Sequence, residues 1–92
     1  MAKVIITLKI MPESPDVNLK EVEIAAFELI NAKYGDVESK TEVQNVAFGL
    51  KSLNLIIVID ESQGTTEEVE SKISKIRGVT SVEVTDVRRA IG

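Results

Sequence analysis

Few side chains in this sequence can do covalent or metal chemistry, and naming them narrows what the chain does. There is no Cys and no His. That removes the thiolate nucleophile, the disulfide, and the commonest general base and transition-metal ligand. Carboxylates stand in adjacent pairs, Asp60-Glu61 and Glu67-Glu68. Two acids that share a proton need one enclosed site. One of these pairs lies in a polar loop and the other in the first turn of a helix pattern, so both read as solvent-facing caps. The segment Pro12-Glu13-Ser14-Pro15 carries an acid where an acyl-phosphate hydrolase of similar layout would need a cationic cradle.

Two features suit binding instead. Arg88-Arg89 is the only adjacent basic pair in a chain with 11 basic and 15 acidic residues and a net charge of −4. An acidic chain without a clustered basic surface disfavours a nucleic-acid partner. The pair is either a solvated tail or a contact for something else. The second feature is Phe48, one of three aromatics with Phe27 and Tyr34. It adjoins Gly49, which takes a left-handed turn at no steric cost. An aromatic at a hairpin tip finds little core, so Phe48 is either folded back or presented to a partner.

The elements that position these residues follow from periodicity. Lys3 to Met11 alternates, with Val4, Ile6, Leu8 and Ile10 on one face, as a half-buried strand does. Two prolines, Pro12 and Pro15, end it. Asn18 reads as an N-cap with Glu21 as its capping-box partner. The helix runs to about Lys33 on a stripe of Leu19, Val22, Ala26, Leu29 and Ile30, and Gly35 punctuates it. Val37 to Val46 is a mixed, edge-type strand. Leu53 to Ile59 is the most apolar run and reads as a central strand.

Asp60 to Gly64 is a polar loop. Thr65 with Glu68 repeats the capping signature, and Val69, Ile73 and Ile76 mark a second helix closed by Gly78. Val79 to Val87 is a last strand, with Val82 and Val84 on one face, and Arg88 to Gly92 reads as a short tail.

The order β-α-β-β-α-β predicts a ferredoxin-like α+β fold over residues 1–92. Right-handed crossovers would place two helices on one face of a four-stranded antiparallel sheet. Residues on the other face, Ile5, Ile56 and Val58, are either ordinary exposed strand residues or a docking surface. Ninety-two residues make one domain. No signal-peptide pattern opens the chain, and no apolar run is long enough to span a bilayer. The expected setting is soluble and cytoplasmic, with no membrane contact, no cofactor and no metal.

Three segments carry a resemblance. Leu8-Lys9-Ile10-Met11-Pro12-Glu13-Ser14-Pro15-Asp16-Val17-Asn18-Leu19 is similar to the opening of the archaeal translation elongation factor 1-beta family. Ala47-Phe48-Gly49-Leu50 followed by Leu53, and Val82 to Arg89, resemble the same family in register. The resemblance implies a binding protein, not an enzyme. It implies guanine-nucleotide exchange on elongation factor 1-alpha, with GDP or GTP and Mg²⁺ held by that partner.

It further implies partner-binding roles for Phe48, Gly49 and Leu50 on the hairpin, and for Arg89 with Arg88 in support near the end. The chain departs from the family at Asn45-Val46, where Pro-Ile is usual. A reading from another class is a stand-alone ligand-sensing module that dimerises through sheet edges. Pull-down with the GTPase, against thermal shift with small metabolites, separates the two.

Overall fold

The alternation of the first strand decides which side of the sheet becomes core. In the computed structural model, which describes residues 2–90, β1 (Lys3–Pro12) and β3 (Lys51–Asp60) are the inner strands. They pair antiparallel with Ile6 opposite Ile57 and Leu8 opposite Leu55. Directly opposed residues share a face. Ile6, Leu8 and Ile10 therefore meet Leu53, Leu55, Ile57 and Ile59 in one buried layer. Burying each such side chain is worth ~1.5–3 kcal/mol.

Two helices cover that layer. The first, α1 (Leu19–Tyr34), is capped by Asn18, whose Oδ1 accepts from the N–H groups of Lys20 and Glu21. It buries Val22, Ala26, Ile30 and Tyr34. The second, α2 (Glu67–Ser74), buries Val69 and Ile73. A Lys33–Glu68 ion pair at 2.8 Å ties the helices together. Its hydrogen bond raises the Lys33 pKa and, with help from Lys72, lowers that of Glu68.

The sheet order is β2-β3-β1-β4, with all neighbours antiparallel. This is the predicted ferredoxin-like α+β fold. Strand β2 (Ser39–Asn45) is an edge, as expected of its polar sequence, and β4 (Val79–Ala90) is the other. Ile5 opposite Val58 and Thr7 opposite Ile56 lie half-buried on the face without helices.

Three expectations are corrected. The N-cap of α2 is Thr66, not Thr65, and it makes no side-chain cap because its hydroxyl donates to Glu70 Oε2 at 2.7 Å. Thr65 instead lends its carbonyl to the Tyr34 hydroxyl. Helix α2 stops at Ser74 with Lys75 as its C-cap, so Gly78 serves the following turn. There φ is +94°, and a Cβ would stand 3.0 Å from Val17 Cγ1.

The third correction bears on function. Strand β4 runs to Ala90, so Arg88 and Arg89 belong to a paired strand and not to a tail. Of the expected tail, Ile91 and Gly92 lie outside the described residues. The pairing also shifts register: Asp86 faces Thr7, but Val84 faces Leu8. Thr85 is thus an extra residue, a bulge that reverses the alternation beyond it.

Candidate functional site

The hairpin between β2 and β3 is built around a backbone conformation that its tip residue resists. Val46 N–H donates to the Leu50 carbonyl at 2.8 Å, and Leu50 N–H donates to the Ala47 carbonyl at 3.2 Å. Between them Phe48 has φ +60° and Gly49 φ +76°. Glycine adopts this conformation freely. For an L side chain the left-handed region costs roughly 1–2 kcal/mol.

Phe48 accepts that strain with no burial in return, since its residue is 96% exposed. Of the two sequence alternatives, folding back into the core is excluded. Val43 and Val46 are exposed nearby, and Leu50 is half-buried at the return. The apolar tip is therefore a prominence, with a cleft of about 330 Å³ beside it lined by Pro12, Pro15, Leu19 and Lys51 among others. Asn45 pairs with Lys51 as the last rung. That rung and the Val46 hydrogen bond hold the approach to the turn.

The arginines sit at the other end of the sheet. Arg88 faces Ile5 and Arg89 faces Val4 across the β1–β4 ladder. Because of the bulge, Arg89 is on the helix-covered side and Arg88 on the open side. Both are exposed, and each is already paired. Arg88 Nε lies 2.8 Å from Asp86 Oδ2, and Arg89 Nη2 donates to Glu61 Oε2 at 2.9 Å.

Glu61 opens a short 3₁₀ turn, Glu61–Gln63, capped by Asp60. The Ser62 backbone N–H, and then its hydroxyl, hold the Asp60 carboxyl below the usual carboxylate range. Asp60 is thus a cap, as the sequence predicts. Glu61 is not merely solvent-facing.

The structure does not bring the two sets of residues together. Arg89 lies on the row of Val4 and Ile59, while Leu53 and Ile10 form a row near the hairpin. Those rows are about 20 Å apart at ~3.3 Å per residue, and Phe48 lies beyond the second. The long axis of the molecule is 42 Å, so the sites occupy its opposite ends. Glu61 and Asp86 are the residues that reasoning from sequence missed as partners of the arginines. The Glu61 contact passes over β1, and no local spacing signals it.

Among the described residues, no group of three Asp or Glu side chains could hold a metal ion. No helix is long and apolar enough to cross a membrane among the described residues.

Residues 5–90 match the family described as the EF-1 guanine nucleotide exchange domain. The chain belongs to this family. It is 45% identical over 89 residues to the elongation factor 1-beta of Methanobrevibacter smithii, covering 97% of this chain and 98% of that one. To the elongation factor 1-beta of Methanothermobacter thermautotrophicus it is 43% identical with the same coverage. Among solved structures, the ACT domain from the GTP pyrophosphokinase of Chlorobium tepidum superposes with a TM-score of 0.56 at 21% identity. That likeness covers 89% of this chain and 97% of the other. A de novo designed protein, Foldit4, gives 0.64 at 17% identity, covering 98% of each chain. These two show the fold alone. The family match and the archaeal relatives support an exchange-factor role.

Proposed function

We propose that this chain promotes GDP release from elongation factor 1-alpha in the cytoplasm, touching neither nucleic acid nor membrane directly. Phe48, with Gly49 and Leu50 shaping its turn, is the anchor, and Arg89 with Arg88 in support is the acting end. The observation that carries the reading is a fully exposed Phe48 held at positive φ. Strain with no internal return is expected where a partner supplies it.

An exchange factor binds its GTPase better without nucleotide, and by reciprocity it weakens nucleotide binding by the same factor. Nucleotide sites of GTPases lean on Mg²⁺ and a phosphate cradle. A unit charge opposing a unit charge at 4 Å is worth ~4 kcal/mol at an effective dielectric of 20. A guanidinium pressed toward a divalent ion therefore has ample energy to loosen it. Arginine stays ionised at any physiological pH.

The separation of the two ends supports a division of labour, since a dock more than ~20 Å from the acting group leaves that group free to be placed on the metal region. The test is stopped-flow release of fluorescent GDP from the cognate GTPase. Release accelerated by the chain supports the reading, and release at the intrinsic rate overturns it.

A further inference from the structure

The sequence makes Glu61 a solvent-facing acid, whereas the structure places it against the acting arginine. Its own backbone is fixed: Glu61 N–H donates to the Ala2 carbonyl at 3.0 Å, and Asp60 Oδ1 accepts from Ser62 N–H at 2.9 Å in the same turn. From that fixed point its carboxylate meets Arg89 Nη2 at 2.9 Å. Glu61 follows β3 and Arg89 lies on β4, with β1 between them. The guanidinium is thus drawn across the end of β1 toward β3 and does not stand off the sheet. Asp86 pairs with Arg88 on the opposite face, so it does not duplicate this contact.

We propose that Glu61 is a positioning residue for Arg89. It holds the guanidinium in the free protein and sets how readily the arginine passes to the metal and phosphate groups of the partner. This rests on the reading above that Arg89 acts there. The physical reason is charge cancellation. A guanidinium paired with a carboxylate presents little net charge, so it opposes a divalent cation weakly until the pair opens. Both partners are exposed, with side-chain exposures of 67% and 48%, and an exposed pair is weak. The hold therefore tunes exchange and does not block it.

The experiment is GDP release from the cognate GTPase at saturating exchange factor. It compares the wild-type chain, Glu61→Gln, Glu61→Ala, Arg89→Ala and the double variant Glu61→Gln/Arg89→Ala, with thermal melting to confirm folding. Both Glu61 variants are expected to speed release by about two- to fivefold at low ionic strength, the upper end being all that an exposed pair is worth. The ratio to wild type should shrink toward one as salt screens the pair. The gain should vanish in the Arg89→Ala background. Slower or unchanged release by the Glu61 variants, with Arg89→Ala still slow, overturns the role of Glu61 and leaves that of Arg89 standing. A gain that persists without Arg89 also overturns it, because Glu61 then acts on the partner by itself. Arg89→Ala matching wild type overturns both.

Discussion

The two ends of the sheet present opposite kinds of surface. At the hairpin end Phe48 is exposed and its backbone strained before any partner arrives. At the arginine end each charge already has a local counter-charge, Glu61 for Arg89 and Asp86 for Arg88. Apolar surface gains only when a partner removes it from water, so presenting it in advance avoids reorganisation on binding. Charge differs, because a cation in a solvent-exposed ion pair can be traded from one anion to another at small net cost. On the proposed function, the hairpin end is a committed dock and the arginine end an exchangeable contact. Affinity and action are expected to separate along the same axis.

The largest effect should come from the strand that joins the ends. Ile57 is fully buried at the centre of β3. Ile57→Ala should cost ~2–5 kcal/mol of stability and weaken both ends together. Chemical denaturation measures this. A loss well under 1 kcal/mol would mean that the ends do not depend on a shared core.

Phe48→Ala should next isolate the dock. Stability should change far less than the ~3–5 kcal/mol typical of a buried Phe. Affinity for the GTPase should fall by ~2 kcal/mol or more, the scale of an interface hot spot, which is about thirtyfold in Kd. Titration of exchange rate against factor concentration reads this directly. An unchanged half-saturation point would remove the dock from the hairpin and with it the contrast between the ends.

Arg89→Ala should do the reverse. Release at saturating factor should slow by tenfold or more, about 1.4 kcal/mol on the barrier, with affinity largely kept. Arg89→Lys should retain part of the rate, since a point charge still opposes the metal. If the alanine variant loses affinity and keeps its saturating rate, the arginine is a second dock and action lies elsewhere.

How legible these ends were in the sequence depends on how local their causes are. The helix-facing sheet side follows from period-two alternation in β1 and β3, and the cap of α1 from Asn18; both are written within a few residues. The hairpin is also local, because Gly49 announces the turn. Phe48 left two options open in the sequence, and only its exposure separates them. Arg88 and Arg89 read as a tail in the sequence because alternation in β4 breaks at Thr85. A bulge is set by the partner strand's register, which no single strand records. The N-cap of the second helix reads one residue early in the sequence for a related reason. Thr65 and Thr66 are equally good caps by type, and the Tyr34 and Glu70 contacts decide between them.

The smallest effect tests whether the hairpin is held in strain at all. Glycine takes the left-handed conformation freely, whereas alanine at φ +60° still carries the Cβ clash. Glycine also leaves the unfolded chain freer, which offsets part of that gain by roughly 0.4–1 kcal/mol. Phe48→Gly should therefore be more stable than Phe48→Ala by about 0.5–1 kcal/mol, a difference of a few degrees in Tm for a domain this small. Both should dock equally poorly, because both lack the ring. This pair of variants separates the backbone from the aromatic group, which Phe48→Ala alone does not do. If the glycine variant melts below the alanine one, the turn stores no strain. The hairpin would then be an ordinary exposed loop whose aromatic tip costs the fold nothing to present.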